Sequence, residues 1–128
     1  MKASDVGILV LRLTIGLSMF FGHGLGKLLQ YPERAGRFPD PLGLGSEASL
    51  ALMVIAEALC ALAVAAGIFT RLAAIPPIIG MAVAILFIHA GDPFGEWEKA
   101  LLFLGGFLAI ALLGPGRLSL DAKFRGRR

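Results

Sequence analysis

Six ionisable side chains lie within or at the ends of long apolar stretches of this sequence. They are Arg12, His23, Lys27, Glu57, His89 and Glu98. A charged group near the centre of a bilayer costs roughly 2.5 to 3.5 kcal/mol on insertion scales, so each of these residues is a functional hypothesis by default. Imidazole and ammonium groups can donate hydrogen bonds to a carbonyl or another polar head group, and carboxylates can exchange protons with it. The residue types therefore indicate a small-molecule pocket with acid–base groups.

The spacing of these residues predicts one polar cluster. His23 and Lys27 are four residues apart, so they share a helical face. A helical rise of about 1.5 Å per residue places the histidines and glutamates in one half of a bilayer, with Lys27 near its surface. The predicted ligand-binding residues are His23, Lys27, Glu57, His89 and Glu98. No residue is assigned a catalytic role.

Arg12 lies nearer the opposite surface of the bilayer than this cluster. Side chains lean toward the N-terminus of their own helix, and the helices that carry Arg12 and Glu57 are expected to run in opposite directions. The two side chains therefore lean apart, and Glu57 is better matched to the histidines. Arg12 is expected to contact backbone carbonyls at its own surface, or Asp121.

Other chemistries fit parts of this pattern less well. The segment FFGHGLGKLL has Phe21 where a phosphate-binding loop has its first glycine, and Leu28 where that loop has a hydroxyl. A haem held by both histidines would share its region with a lysine and two carboxylates. A zinc site has acceptable ligand types, but no spacing requires it, so no metal site is predicted. A purely structural network that fixes helix pairing stays open.

The composition indicates that these residues are positioned inside a membrane. The chain has 128 residues, of which 57% are hydrophobic and 16% charged, with a mean hydropathy of +0.81. Soluble domains are more polar than this. The basic residues gather near the C-terminus beside apolar runs, which favours anionic lipid head groups as partners and argues against nucleic acid. The single Cys60 excludes a disulfide within the chain.

Four apolar stretches approach the roughly 20 residues that a helix needs to cross hydrocarbon. They cover residues 6–29, 49–69, 72–89 and 98–113. The first stretch contains Asp5 and Arg12 and has no small-residue cleavage site after it, so it is expected to be retained and not removed as a signal peptide. Pro76 and Pro77 are expected to kink the third span or to shift its start. The prediction is an all-α integral membrane protein, a single-domain (1–128) up-down four-helix bundle.

Lysine and arginine predict how the bundle is oriented. With four spans, both termini and the turn at Arg71 share one side. That side carries Lys2, Arg71, Arg117, Lys123, Arg125, Arg127 and Arg128. The other side carries only Arg34, Arg37 and Lys99. The excess of positive charge places both termini in the cytoplasm.

Glycines predict close helix contacts. Gly22 and Gly26 form a small-x-x-x-small pair, which lets a neighbouring helix approach closely, and Gly105 and Gly106 can receive such an approach. So small a bundle exposes much glycine-rich helix surface. We therefore expect a homo-oligomer or a part of a larger membrane complex.

An ordered series of segments resembles the DoxX family of small four-helix bacterial and archaeal membrane proteins. The series is RLTIGL, FGHGLGKL, Glu57, AAGIFTRLAAI, FIHAGDPF, EKALLFL and GPGRLSLD, and it extends from about residue 11 to residue 121. Besides the polar cluster, the positions that match the family pattern or its glycine pair are Arg12, Gly22, Gly26, Gly114, Pro115, Gly116, Arg117 and Asp121. In the last segment, Pro115 and its flanking glycines are expected to break the fourth helix. Asp121 is expected to pair with Arg12 or Arg117.

The resemblance implies a multi-pass protein of a bacterial or archaeal cell membrane. Some DoxX-like proteins are membrane subunits of quinone-linked sulfur oxidation or redox-defence complexes. The leading hypothesis is therefore a membrane subunit that binds quinone, its candidate cofactor, and that does not catalyse a reaction alone. The competing hypothesis is a non-catalytic scaffold or assembly factor. A third hypothesis is proton or solute transport. It has less support, because the sequence lacks the internal repeat that many transporters have.

Overall fold

The structure is a computed structural model that describes residues 1–125. Its helices are α1 (Ala3–Leu29), α2 (Tyr31–Arg34), α3 (Ser46–Ala66), α4 (Thr70–Ile88), α5 (Phe94–Leu113) and α6 (Leu120–Arg125). No strand occurs among the described residues, so the all-α prediction is confirmed. Arg127 and Arg128, which contribute to the predicted orientation, lie outside the described residues.

Three helices of the described chain are long and apolar enough to cross a membrane. They are α1, α3 and α4, with 27, 21 and 19 residues. Helix α5 has 20 residues, but three charged residues, Glu96, Glu98 and Lys99, lie near its start. This helix begins at Phe94, directly after Pro93, and not at Glu98 as predicted. A fourth membrane crossing stays a prediction.

The four long helices pack side by side in chain order. Helix α1 packs on α3, α3 on α4 and α4 on α5, while α5 also contacts α1. Short connections at 67–69 and 89–93 join the last three of these helices, which favours antiparallel neighbours. The core between the helices is built from small and flexible apolar side chains together with one large ring. It includes Met19, Ala61, Val64, Ala74, Met81, Phe107 and Ile110.

The polarity of the surface and the interior is that of a bundle dissolved in lipid. Arg12 and Glu57 are only 2% and 3% exposed, whereas Leu59, Leu102 and Leu112 are 64%, 66% and 74% exposed. In water, so many exposed leucines would be an aggregation hazard. Facing hydrocarbon they lose nothing, because lipid chains are as apolar as leucine.

Close approach between helices uses glycines other than the predicted pair. A Cβ added at Gly16 would lie 2.7 Å from a backbone oxygen of α3, and one added at Gly24 would collide with the α3 backbone. Gly22 and Gly26 have open space around them, so no helix of the described chain makes the predicted close approach to this pair. Residues two positions apart point about 200° away from each other around a helix, and the contact with α3 follows Gly16 and Gly24. Of the two glycines that were predicted to receive an approach, Gly106 lies against Ile15 of α1, and Gly105 has nothing within 4 Å.

Each of the three helices α1, α3 and α4 also contains one segment of wider, π-type turns. These segments are Phe20–Gly24 in α1, Ile55–Cys60 in α3 and Ala84–Ile88 in α4. Helix α4 runs from Thr70 through Pro76 and Pro77, so the prolines do not move its start. The wide turns, and not the prolines, mark the part of the bundle in which the candidate site lies.

Candidate functional site

A cavity of about 330 Å³ lies between the four long helices, at the end where α1 finishes and α5 begins. Apolar side chains form part of its wall, among them Met19, Met53 and Phe103. Ionisable groups from all four helices or their ends form the rest. They are His23, Lys27, Glu57, His89, Glu96 and Lys99. Four of the five predicted cluster residues therefore line one cavity.

Lys27 and Glu57 form the most buried ion pair of the described residues. The ammonium Nζ of Lys27 lies 2.6 Å from Oε1 of Glu57, and the two side chains are 14% and 4% exposed. Oε1 is buried, and among residues 1–125 the Lys27 ammonium is its close polar neighbour. A carboxylate has two oxygens, so Glu57 can pair with Lys27 and also accept a hydrogen bond from a hydroxyl group.

The direct partner of Glu57 is therefore Lys27. The sequence had suggested a histidine instead. Helical side chains lean toward the N-terminus, so Lys27 reaches back along α1 by about one turn. Its ammonium group thus arrives at the depth of Glu57, although its own Cα lies nearer the end of the helix. A depth counted from the Cα position therefore places the Lys27 ammonium group about one turn too near the surface of the bilayer.

His23 is oriented by an aromatic neighbour. Its ring packs edge-on against Phe103 of α5, with ring centres 5.5 Å apart and an interplanar angle of 87°. The side chain lines the cavity on the same face of α1 as Lys27. His23 is thus a candidate contact for a molecule in the cavity.

His89 lies at the mouth of the cavity, in the turn after α4. Its Nδ1 lies 3.1 Å from Oδ2 of Asp92, three residues further on, and both side chains are partly exposed. The contact is an ion pair only when the imidazole is protonated, and as a neutral ring it is a hydrogen bond. Asp92 was not among the predicted site residues, and its place beside His89 is a feature of the folded turn.

Glu98 is wrong as a member of the cluster. It is exposed and does not line the cavity, whereas Glu96, Lys99 and Phe103 do. Positions 96, 99 and 103 follow the helical spacing of one face, and residue 98 lies about 200° around from residue 96. A predicted start of the span at Glu98 gives the depth of this residue but not the side of the helix on which it lies.

The wide helical turns coincide with the cavity. His23 lies in the first, Glu57 in the second, and His89 directly follows the third. Single π-type turns inside α-helices occur often at functional sites, because they re-aim side chains and leave backbone groups less regularly bonded. No residue pattern in the sequence signals such turns, so they could not be predicted.

The loop between α2 and α3 covers one side of the cavity. Phe38 and Pro39 line it from this loop, and Asp40 fixes the loop by accepting hydrogen bonds. The backbone NH groups of Leu44 and Gly45 donate to Asp40 at 2.8 and 2.9 Å, and the Ser49 hydroxyl donates at 3.0 Å. The Gly45 bond above all lowers the pKa of Asp40 below its ordinary value. Asp40 between two prolines is a turn signal that could have indicated this structure.

Arg12 serves a separate structural site at the other end of the bundle. Its guanidinium group donates to carbonyl oxygens on α3 and in the segment after α5, as predicted for backbone carbonyls. The acceptors are Val64 at 3.2 Å, Ala65 at 3.2 Å, Pro115 at 2.6 Å and Leu118 at 2.9 Å. Arg12 thus ties the C-terminal segment to the bundle and takes no part in the cavity.

The GPGRLSLD segment ends α5 and caps α4. Helix α5 stops at Leu113, and Gly114 and Gly116 have φ angles of 84° and 75°, so the predicted helix break is confirmed. Asp121 accepts hydrogen bonds from the Phe69 NH, the Thr70 NH and the Thr70 hydroxyl, at 2.8 to 2.9 Å. These groups, and not Arg12 or Arg117, are its direct partners. Arg117 is exposed.

Comparison with known proteins gives one family. The family model DoxX matches residues 7–90, which hold most of α1, all of α3 and α4, and the cavity residues His23, Lys27, Glu57 and His89. The Uncharacterized membrane protein Rv3486 of Mycobacterium tuberculosis (strain H37Rv) is 32% identical, over 94% of this chain and 82% of its own length. The Inner membrane protein YqjF of Escherichia coli (strain K12) is 30% identical, over 94% of this chain and 93% of its own length. No solved structure matches the chain significantly.

Proposed function

The chain belongs to the DoxX family of membrane proteins, and we propose that its polar cavity binds the head group of a quinone in a membrane subunit of a redox complex. The observation that carries the proposal is the buried pair of Lys27 and Glu57, which lines a cavity together with His23. Buried ionisable groups that converge on a partly apolar cavity are typical of a ligand site.

The cavity residues suit a ring that carries oxygens on opposite edges. A quinone bound here accepts two electrons and two protons and leaves as the quinol. Lys27 and His23 are placed to donate hydrogen bonds to one oxygen of the head group. Glu57 can accept a hydrogen bond from a hydroxyl, and its carboxylate can hold or release a proton.

Protons reach the cavity from the side that His89 and Asp92 occupy. Their contact of 3.1 Å lies at the partly exposed mouth, where an imidazole can exchange protons with water. The electrons come from a redox protein that is a partner in the complex, so this chain is a subunit and not an enzyme by itself. Homo-oligomerisation or a larger assembly covers its exposed apolar helices.

We also propose that α5 is a fourth membrane span and that residues 1–128 form one domain. Both termini are then cytoplasmic, in the cell membrane of a bacterium or an archaeon. The relative YqjF is named as an inner membrane protein, which supports this location. Fusion of alkaline phosphatase or of a fluorescent protein to the C-terminus tests the orientation. Fluorescence without phosphatase activity is expected, and phosphatase activity contradicts the proposal.

The second candidate function is a non-catalytic scaffold or assembly factor. One observation favours it, because the ion pair between Lys27 and Glu57 is already closed across α1 and α3 without a ligand. Interhelical polar contacts of this kind stabilise membrane bundles by roughly 0.6 to 2 kcal/mol. In that case the cavity is filled by lipid or water and exchanges no protons.

Purification in native lipid separates the two functions. The wild type and the variants Glu57→Gln and His23→Ala are extracted in lipid discs, and bound small molecules and proteins are identified by mass spectrometry. Glu98→Gln is the matched control, because Glu98 is exposed and outside the cavity. We expect quinone with the wild type and with Glu98→Gln, and little with the other two variants. Equal quinone in all four samples, or none in the wild type, rejects the redox proposal.

A further inference from the structure

A second cavity of about 300 Å³ adjoins the polar one between α3 and α4. Leu52 and Ile55 of α3 and Ile79 and Val83 of α4 form its walls, and Leu44 of the loop lies over it. The wall is almost wholly carbon, in contrast to the polar cavity. It is an open groove on the outside of the bundle, and Leu52 and Ile79 are more than half exposed along it.

The groove and the polar cavity share part of their walls. Phe38, Met53 and Ile88 line both of them. These three side chains therefore border both a site for hydrogen-bonding groups and a site for hydrocarbon. The two sites are neighbours, as the head and the chain of an amphipathic molecule require.

We propose that the groove holds the first part of the hydrocarbon chain of the same molecule whose head group occupies the polar cavity. This inference rests on the proposed function, and it specifies the ligand as an amphipathic lipid-like molecule that enters sideways between α3 and α4. About 300 Å³ is ten times the roughly 30 Å³ that one water occupies in the liquid, so the groove fits a chain segment of about ten heavy atoms and not a whole lipid.

Gly80 gives the groove a position that can be blocked. It lies in the wall, and a Cβ added there would be 3.3 Å from the Sδ atom of Met53. Gly80→Val therefore places a branched side chain into the groove and against the flexible side chain of Met53, and it changes none of the ionisable residues of the polar cavity. Gly105→Val on α5 is the matched control, because Gly105 has nothing within 4 Å.

Two probes test the head and the chain separately in lipid discs. The first is 2,3-dimethoxy-5-methyl-1,4-benzoquinone, a head group without a chain, and its binding is measured by quenching of the single Trp97, which is next to Glu96. The second is the same ring with a ten-carbon chain that carries a diazirine at its middle. Light attaches this chain to its neighbours, and mass spectrometry locates the labelled residues.

We expect the wild type and Gly105→Val to be labelled mainly within 41–56 and 76–83. Gly80→Val should be labelled about tenfold less at these residues, and it should still bind the head-group probe with an unchanged Kd. Labelling spread evenly over α5 and the groove, or unchanged labelling in Gly80→Val, overturns the inference about the groove and leaves the head-group site intact. If the head-group probe fails to bind the wild type, the proposed function fails and the inference falls with it.

Discussion

The ammonium group of Lys27 in α1 lies 2.6 Å from the carboxylate of Glu57 in α3, in a part of the bundle that exposes little of either side chain. The pair joins two helices and at the same time lines the polar cavity. Removing one partner leaves the other as an uncompensated charge in a medium of low dielectric constant. The pair thus connects the stability of the bundle to any binding in the cavity.

Glu57→Gln should destabilise the protein by about 3 kcal/mol, the lower end of the range for a broken buried ion pair, because Lys27 keeps some exposure and can shift toward the head groups. Unfolding in mixed micelles with increasing sodium dodecyl sulfate measures the loss.

The double variant Glu57→Gln, Lys27→Met is the control for this measurement. It removes both charges, so most of the lost stability should return, whereas binding of a quinone head group should stay lost. If the protein is only a scaffold, both variants should differ from the wild type in stability alone, and no quinone binding should be seen in any of them. If Glu57→Gln alone is as stable as the wild type, the contact contributes nothing and its description as a buried pair is wrong.

Gly24→Ala should disrupt the contact between α1 and α3. The added Cβ meets the backbone of Glu57, which cannot rotate away, so we expect a cost of about 1 to 3 kcal/mol or more, as for other overpacked sites. Gly22→Ala is the matched control in the same wide turn. Its Cβ meets nothing within 4 Å, so this change should be neutral or stabilising by up to about 1 kcal/mol. Equal thermal stability of both variants contradicts the assignment of Gly24 as the contact.

Arg12→Lys should cost about 2 to 4 kcal/mol, although it keeps the charge. A lysine has no planar fork of donors, so it cannot reach carbonyls of α3 and of the segment after α5 together, and hydrogen bonds from a charged donor are worth about 1.5 to 3 kcal/mol each. Arg37→Lys in the exposed loop is the control and should change stability by less than about 0.5 kcal/mol. Similar unfolding of the two variants would mean that the carbonyl contacts of Arg12 contribute little.

Asp121 should make stability depend on pH. Burial acts to raise the pKa of this carboxyl, but the hydrogen bonds from the Thr70 NH and hydroxyl and from the Phe69 NH outweigh it, so its pKa lies below the ordinary 3.8. A lowered pKa in the folded state means that the contribution is present above the unfolded value, and that it is lost as the pH falls through the folded value. Melting temperatures between about pH 2.5 and pH 6 should fall toward acid in the wild type.

Asp121→Asn should flatten part of this dependence and should cost about 1 kcal/mol at neutral pH, as the loss of a helix cap does. Asp40, whose pKa is lowered in the same direction, accounts for another part, so Asp40→Asn is the comparison. An acid slope that is unchanged in Asp121→Asn would show that this carboxylate does not cap α4 in solution.

The sequence predicted those features of the fold that depend on length and composition. Apolar stretches of span length predicted α1, α3 and α4, because backbone groups in hydrocarbon must be satisfied within the segment. Depth and helical face together placed His23, Lys27, Glu57 and His89 on one cavity, although their role in binding stays a prediction. The contacts of Arg12 with carbonyls followed from the direction of its side chain.

The remaining features depend on phase and on tertiary contacts that no local pattern records. Glu98 was assigned to the cluster from its depth alone, and depth does not say which side of α5 faces the cavity. Gly22 and Gly26 were chosen by their spacing, which does not say which side of α1 meets α3. No pattern of residues signals the wide helical turns, whereas Asp40 between two prolines is a turn signal from which its loop could have been predicted.

Binding of 2,3-dimethoxy-5-methyl-1,4-benzoquinone to the protein in lipid discs, followed by quenching of Trp97, tests the central claim most directly. The wild type and Glu98→Gln should give saturable quenching with the same Kd. Glu57→Gln should bind at least about tenfold more weakly, a loss of about 1.4 kcal/mol. Saturation in none of the proteins, or the same Kd in all three, would contradict the claim that the cavity beside Lys27 and Glu57 binds a quinone head group.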